Sequence, residues 1–255
     1  MTRSRTSSKL PSRSARRRSK PSSAGSVPSW TTARPRTTTT PGSSLVGPAH
    51  PSGARRFVSR GGDKLDAALD AFGVDVDGAR ALDAGASTGG FTDCLLRRGA
   101  RQVVAVDVAY GQLAWELRND PRVQLIERTN VRAITAGTTG PLDILVADLS
   151  FIGLVALADA FVSLRPAAMV LMVKPQFELP RASVPKGGVV RDPAAWIDAM
   201  EAVARAYRAA GYALSGAVPS PLVGPKGNRE FFLHFAREGV DVGDRVIRAA
   251  AERAP

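Results

Sequence analysis

Short apolar runs alternate with amphipathic segments from residue 57 onward, which predicts an α/β domain. The runs VVAV, DILVA and MVLMV are typical of parallel strands covered on both faces, and the segments between them follow the 3.6-residue period of helices. We expect helices at 64–72, 89–98, 112–119, 154–164 and 193–210, and strands at 80–83, 102–107, 123–127, 142–148, 168–173, 212–218 and 230–236. Leu113 and Trp115 are expected in the core. The order predicts a doubly wound, Rossmann-like sheet, mostly parallel with an antiparallel edge strand.

The first 56 residues show neither period and are rich in Ser, Thr, Pro and Arg. They contain twelve of the 35 basic side chains and no acid, so 23 basic and 23 acidic side chains balance in the remainder and the net charge of +12 belongs to this segment. We expect residues 1–56 to be a disordered, low-complexity basic segment. Residues 57–240 are predicted to form the domain, and residues 241–255 a C-terminal helix or tail.

The cysteine and hydropathy patterns narrow the class of protein. Cys94 is the single cysteine, so a disulfide within the chain is impossible and a reducing, cytoplasmic compartment is favoured. No apolar run approaches the roughly 18–20 residues of a membrane span. We therefore expect a cytoplasmic protein without stable membrane association, of an oligomeric state that the sequence leaves open.

A glycine-rich turn follows the first predicted strand, in the run ALDAGASTGGFTDCLL at 81–96. Gly85, Gly89 and Gly90 allow a tight turn and the close approach of a ligand, and the helix that begins there directs free N–H groups to the same place. Three occupants remain open. A dinucleotide normally requires a glycine where Ser87 stands, a hydrolase elbow would use Ser87 with His234, and S-adenosyl-methionine, which has no phosphate, suits small polar residues.

Charged side chains end the predicted strands, where ligands bind in sheets of this kind. Asp83, Asp107, Asp148 and Lys174 each follow a strand, and Glu230 opens the last antiparallel strand and so reaches the same edge. Asp107 lies eighteen residues after Gly89, where a carboxylate can accept both hydroxyls of a ribose. Each acid alone is typical of a solvated strand end, but the five groups together indicate a site.

Eight segments, in order, closely resemble the TlyA, or hemolysin A, family: VSRGGDKL (58–65), LDAGASTGGFTDCLL (82–96), AVDVAYGQLAWELRNDPRV (105–123), ERTNVR (127–132), VADLSFI (146–152), VKPQFE (173–178), KGGVVRD (186–192) and GPKGNREFF (224–232). That family is similar to the FtsJ-type ribose 2′-O-methyltransferases. The resemblance implies S-adenosyl-L-methionine as cofactor and methylation of cytidine ribose in 16S and, in some members, 23S ribosomal RNA, with ribosomal subunits as partners. The alternatives are a non-catalytic RNA-binding or membrane-active protein and, more distantly, a serine hydrolase.

The resemblance also implies site residues. A catalytic Lys-Asp-Lys-Glu tetrad falls on Lys64, Asp148, Lys174 and Glu230, with Lys174 as the base for the ribose 2′-hydroxyl. Lys174 must first lose its own proton, which burial near the second cation Lys64 favours. Asp107 is expected on the ribose hydroxyls of the cofactor and Asn130 near its adenine. The full set of expected cofactor contacts, which includes no metal ligand, is Asp83, Gly85, Ser87, Thr88, Gly89, Gly90, Phe91, Asp107, Asn130 and Asp148.

RNA contact is expected from cations in loops that border the site, namely Arg60, Lys186, Arg191, Lys226 and Arg229. The glycines of KGGVVRD and GPKGN predict flexible clamps on phosphates. Members of the family carry a small S4-type RNA-binding domain at the N-terminus, which residues 1–56 do not resemble. We expect this segment either to bind RNA as an unstructured polycation or to represent a shifted reading frame of a GC-rich gene.

Overall fold

The computed structural model describes residues 56–224 and 226–254, so the predicted disordered segment lies outside the described residues except for Arg56. The strands are β1 (Arg80–Ala84), β2 (Gln102–Val106), β3 (Val123–Ile126), β4 (Ile144–Ala147), β5 (Ala168–Val173), β6 (Ala213–Pro219) and β7 (Phe231–Ala236). The helices are α1 (Arg60–Phe72), α2 (Gly90–Arg97), α3 (Trp115–Arg118), α4 (Ala136–Thr139), α5 (Ala158–Ser163), α6 (Pro175–Glu178), α7 (Pro193–Ala209) and α8 (Arg245–Glu252).

One sheet joins the seven strands in the order β3-β2-β1-β4-β5-β7-β6. The first five strands are parallel, and β7 runs antiparallel to both β5 and β6. The predicted mostly parallel sheet is thus confirmed, with β6 at the edge. Because β7 is antiparallel, its first residue Phe231 pairs with Val173, the last residue of β5. This register brings Glu230 to the edge where Lys174 lies.

Helices cover both faces of the sheet, which explains the nearly unbroken apolar runs of the strands. In β2, Val103 packs into the layer beneath α1 and α2, while its neighbour Val104 packs into the opposite layer. The opposite layer also contains Met200 of α7 and Ile247 of α8, both fully buried.

Two predicted helices differ in their limits for local reasons. The first begins at Arg60, four residues earlier than expected, because the hydroxyl of Ser59 accepts a hydrogen bond from Gly61 N at 3.3 Å. It ends as expected at Gly73, whose φ of 63° suits glycine. The predicted helix 154–164 is divided into a short 3-10 turn at Val155–Leu157 and α5.

The predicted helix 112–119 is reduced to the single turn of α3, and this changes the surface. Leu113 is buried as expected, but Trp115 is 73% exposed, so its assignment to the core was wrong. A helix of one turn has too little apolar face to bury both side chains. Separately, no helix among residues 56–224 and 226–254 is long and apolar enough to cross a membrane.

Candidate active site

A cavity of about 270 Å³ opens at the carboxyl ends of β1, β4 and β5. This is the edge at which the strand-end residues were expected to meet. It is lined by Ser59, Arg60, Gly61, Lys64, Gly85, Ala86, Ser87, Thr88, Gly90, Phe91, Asp148, Ser150, Lys174 and Glu230. Of the expected cofactor contacts, six line it directly, and Asp83, Gly89, Asp107 and Asn130 do not. Ser59, Gly61 and Ser150 are lining residues that sequence reasoning missed.

The glycine turn forms one wall, and its shape depends on missing side chains. Gly85 has a φ of 88°, and a Cβ there would lie 2.8 Å from the carbonyl oxygen of Asp148. A Cβ on Gly90 would collide with the hydroxyl of Ser59. Ser87 has a φ of 47° and donates its backbone N–H to Asp107 Oδ2 at 2.8 Å. The turn is therefore a fixed cradle that keeps β1, β4 and α1 close together.

Asp83 lies behind this cradle and is fully buried. Its Oδ2 accepts a hydrogen bond from the hydroxyl of Thr92 at 2.7 Å, whereas Oδ1 has no partner among the described residues. Burial raises the pKa of Asp83 from 3.8 to about 7; the hydrogen bond from Thr92 opposes this shift, and the nearby carboxylate of Asp148 adds to it. Removal from water disfavours the charged form of a carboxyl group.

The four residues of the expected tetrad meet at the cavity as two ion pairs. Lys64 Nζ lies 2.5 Å from Glu230 Oε2, with side chains only 7% and 2% exposed. Lys174 Nζ lies 2.6 Å from Asp148 Oδ1, too poorly aligned for a hydrogen bond, and donates to Ser150 Oγ at 3.1 Å. Two lysines are thus held at one cavity wall with their charges balanced.

Glu230 is fitted into a narrow space. The backbone N–H of Ser220 donates to its carbonyl oxygen at 2.8 Å. A Cβ on Gly224 would lie 2.6 Å from Glu230 Oε1, so only glycine leaves room for the carboxylate. The backbone at Gly224 thus passes directly against the Glu230 carboxylate.

The remaining expected cofactor residues lie toward β2 and β3. Asp107, half-buried, accepts backbone N–H groups of Ser87 and Ala109 on its two oxygens, each at 2.8 Å. Asn130 is exposed and caps a 3-10 turn by accepting from Arg132 N at 3.0 Å. Gly89 has a φ of 100° and does not line the cavity.

The expected RNA-binding cations differ in exposure, and one of them lines the cavity. Arg60 lines the cavity. Lys186, Arg191 and Lys226 are exposed, and Arg229 is half-buried. The two glycine-bearing loops are joined to each other by hydrogen bonds, which contrasts with the expected pair of independent flexible clamps.

The hydrolase alternative fails on geometry. His234 lies opposite Val170 in the middle of strand β7, whereas Ser87 lies beyond the carboxyl edge of the sheet. Burial lowers the pKa of His234 to about 4, and its ring packs on Phe72 at 5.3 Å between centroids. His234 is a structural residue and does not reach Ser87.

Comparisons with known proteins identify the family of this chain. The model of a family described as FtsJ-like methyltransferase matches residues 57–237. The 16S/23S rRNA (cytidine-2′-O)-methyltransferase TlyA of Mycobacterium tuberculosis is 50% identical over 207 residues, which are 78% of this chain and 77% of the relative. Hemolysin A of Brachyspira hyodysenteriae is 40% identical over 184 residues, 71% of this chain and 77% of the relative.

A solved structure from Lactococcus lactis, provisionally described as a hemolysin, superposes with a TM-score of 0.74 at 35% identity and covers 78% of this chain and 98% of its own. The resemblance to the TlyA and hemolysin A proteins is confirmed by these matches. Together with the matched residues 57–237, they show that the chain belongs to the FtsJ-like methyltransferase family.

Proposed function

We propose that this protein transfers a methyl group from S-adenosyl-L-methionine to the 2′-hydroxyl of a cytidine ribose in ribosomal RNA. One observation carries the proposal: a buried and a partly buried lysine–carboxylate pair face the same cavity as a glycine cradle. The TlyA relative, named as a 16S/23S rRNA (cytidine-2′-O)-methyltransferase, indicates the substrate class.

The cradle fits the cofactor chemically. Gly85 and Gly90 line the cavity with backbone alone, because a Cβ at either position would collide with Asp148 or Ser59, and Asp83 Oδ1, behind the turn, is a buried acceptor without a described partner. Asp107 keeps acceptor capacity beyond its two backbone hydrogen bonds, which suits ribose hydroxyls. S-Adenosyl-methionine supplies an electrophilic methyl group when bound. Gly85, Ser87, Thr88, Gly90 and Phe91 would hold it.

Lys174 is the candidate base for the acceptor hydroxyl. A ribose 2′-hydroxyl is a poor nucleophile, so its proton has to leave as the oxygen reacts. Lys174 Nζ is directed into the cavity by Asp148 and Ser150, and in its uncharged form it accepts this proton. Lys64, held by Glu230, stays positioned for the ribose or its phosphate. Positioning of this kind lowers the barrier by fixing the reacting groups.

An aromatic residue, Phe151, directly follows Ser150, which accepts a hydrogen bond from Lys174. Phe151 is 92% exposed, has a φ of 69° and touches Phe177 with ring centroids 5.6 Å apart. A β- or α-region conformation would cost less for phenylalanine, so the surrounding turn holds the ring outward. Exposed aromatic rings next to a nucleic-acid site stack on unpaired bases. Phe151 is therefore suited to the base of the target nucleotide.

The test uses the full chain and isolated ribosomal subunits. Calorimetry with S-adenosyl-methionine is expected to show binding at micromolar strength. The variant Lys174→Ala should keep that affinity and lose about 10²–10⁴-fold in methyl transfer. Arg205→Ala, which removes an exposed cation of α7 away from the cavity, is the matched control. Absence of cofactor binding, or near-full transfer by Lys174→Ala, would contradict the assignment.

A further inference from the structure

A buried amide joins two segments that carry cations, one of which also contains the cavity residue Glu230. Asn228 is 4% exposed, and its side chain forms hydrogen bonds with a loop distant in sequence. Its Oδ1 accepts from Val190 N at 3.0 Å and its Nδ2 donates to Gly188 O at 2.8 Å. A buried amide needs partners at both ends, and Asn228 finds both on one other loop.

That loop, residues 186–191, which we call the cationic loop, has one local turn hydrogen bond, from Gly188 N to Pro185 O at 2.9 Å. Gly187 and Gly188 have φ values of 94° and 76°, and a Cβ at either position would meet nothing within 4 Å. Neither glycine is therefore constrained by packing. Order comes from Asn228 and from Trp196, whose Nε1 donates to Val190 O at 2.9 Å. The loop exposes Lys186 before the anchored residues Gly188 and Val190, and Arg191 after them.

The other partner is residues 226–230, which we call the glutamate segment. Asn228 and Glu230 are both buried, while Arg229 between them is more exposed. This alternation is typical of extended chain, in which residues two apart point to the same side. The segment thus directs Asn228 to the cationic loop and Glu230 to Lys64. One residue, Arg229, thus separates the loop anchor from Glu230 of the ion pair.

We propose that Asn228 is a positioning residue that fixes the RNA-binding cations of the cationic loop relative to the Lys64–Glu230 pair. The inference rests on the proposed function. Phosphates of the RNA backbone carry the charge that Lys186 and Arg191 would bind. A loose loop that holds a phosphate still adds to the affinity for RNA. The ribose, however, is presented correctly to Lys174 only when the loop is fastened. Asn228 therefore acts on turnover more than on RNA affinity.

The central variant is Asn228→Ala, assayed for methyl transfer to isolated ribosomal subunits at saturating cofactor. We expect kcat to fall about 10- to 100-fold, as for misplacement of a reacting group, with the KM for RNA rising less than kcat falls and with cofactor affinity within about twofold. Asn228→Asp preserves side-chain volume and the acceptor for Val190 N, but turns an oxygen toward Gly188 O. It should show the same split if the alanine variant folds poorly.

A double-mutant cycle separates positioning from general structure. Lys186→Ala is expected to reduce transfer by the otherwise unchanged protein. In the Asn228→Ala background the fold-loss caused by Lys186→Ala should be smaller by about threefold or more, because a cation on an unfastened loop no longer presents the substrate. Asn119→Ala is the control, since Asn119 is exposed and donates only within its own turn, to Trp115 O. This variant should retain full transfer.

Two results overturn the inference while the wild type remains active: unchanged kcat in both Asn228 variants, or strictly additive effects of Asn228→Ala and Lys186→Ala. Failure of the proposed function has a different signature. In that case the wild type itself would bind no S-adenosyl-methionine or transfer no methyl group.

Discussion

Replacing one member of the Lys64–Glu230 pair separates stability from catalysis. In Lys64→Met the cation is lost, while the Glu230 side chain, 2% exposed, remains without a counter-charge. Breaking a buried pair from one side costs about 3–5 kcal/mol, because the remaining charge is kept from water without compensation. For a domain of this size that corresponds to a fall in Tm of roughly 6–20 °C.

The double variant Lys64→Met/Glu230→Leu should regain this stability. Apolar residues of similar volume leave a buried ion pair's site neutral or more stable by about 1–4 kcal/mol. We therefore expect its free energy of unfolding to reach or exceed that of the wild type, with methyl transfer absent in both variants. Arg122→Met is the control, because the Arg122 side chain is 46% exposed in its pair with Asp120 and should cost less than about 1 kcal/mol.

Urea denaturation monitored by tryptophan fluorescence gives the free energies, and radiolabel transfer gives the activity. Equal stability of Lys64→Met and wild type would refute the buried ion pair. A double variant as unstable as Lys64→Met would show that lost packing, and not uncompensated charge, causes the destabilisation. Transfer retained by the double variant would remove the tetrad from the reaction.

Three further predictions concern the supports of the site. Because burial raises the pKa of Asp83 from 3.8 to about 7, the folded protein binds a proton there that the unfolded chain releases. The free energy of unfolding should therefore fall as pH rises between about 4 and 7. Denaturation of Asp83→Asn across that range should lack this pH-dependent fall. Glu178 accepts Leu154 N at 2.7 Å and Val155 N at 3.3 Å; glutamine keeps only one acceptor oxygen, so Glu178→Gln should lose about 1–2 kcal/mol of stability and slow single-turnover transfer while calorimetry shows cofactor affinity unchanged. Gly90→Ala should cost about 1–3 kcal/mol through overpacking and weaken cofactor binding, whereas Gly137→Ala, with open space around it, should alter thermal stability by less than about 1 kcal/mol; equal behaviour of the two glycine variants would contradict the close packing at the cradle.

The parallel part of the sheet was predictable because its strands are covered on both faces. The run VVAV at 103–106 has no polar position that could face water, and the observed strand, Gln102–Val106, agrees with the predicted strand 102–107 within one residue. The place of β7 between β5 and β6 was not predictable, because pairing between Val173 and Phe231 leaves no local signal in either segment. The assignment of Trp115 to the core was wrong because the residue, although part of the stretch AYGQLAWEL, lies two positions from both Leu113 and Leu117, which does not place it on their helical face, and it opens a helix of one turn.

Strand ends identified Asp148, Lys174 and Glu230, since the carboxyl edge of a parallel sheet collects such residues, whereas Lys64, which lies in α1, was implied only by the family resemblance. Their pairing was not available, because Lys64 meets a carboxylate 166 residues away. The same applies to the KGGVVRD loop. Its glycines predict mobility, and the amide that fastens it, Asn228, lies 38 residues beyond Val190.

Methyl transfer to isolated ribosomal subunits tests the central claim most directly. The full chain is incubated with S-adenosyl-methionine labelled in the methyl group, and the modified nucleotide is mapped by primer extension. We predict label on the 2′-oxygen of a cytidine with the wild type and none with Lys174→Ala. Wild-type protein that binds the cofactor but labels no ribose, or Lys174→Ala that labels it fully, would contradict the account.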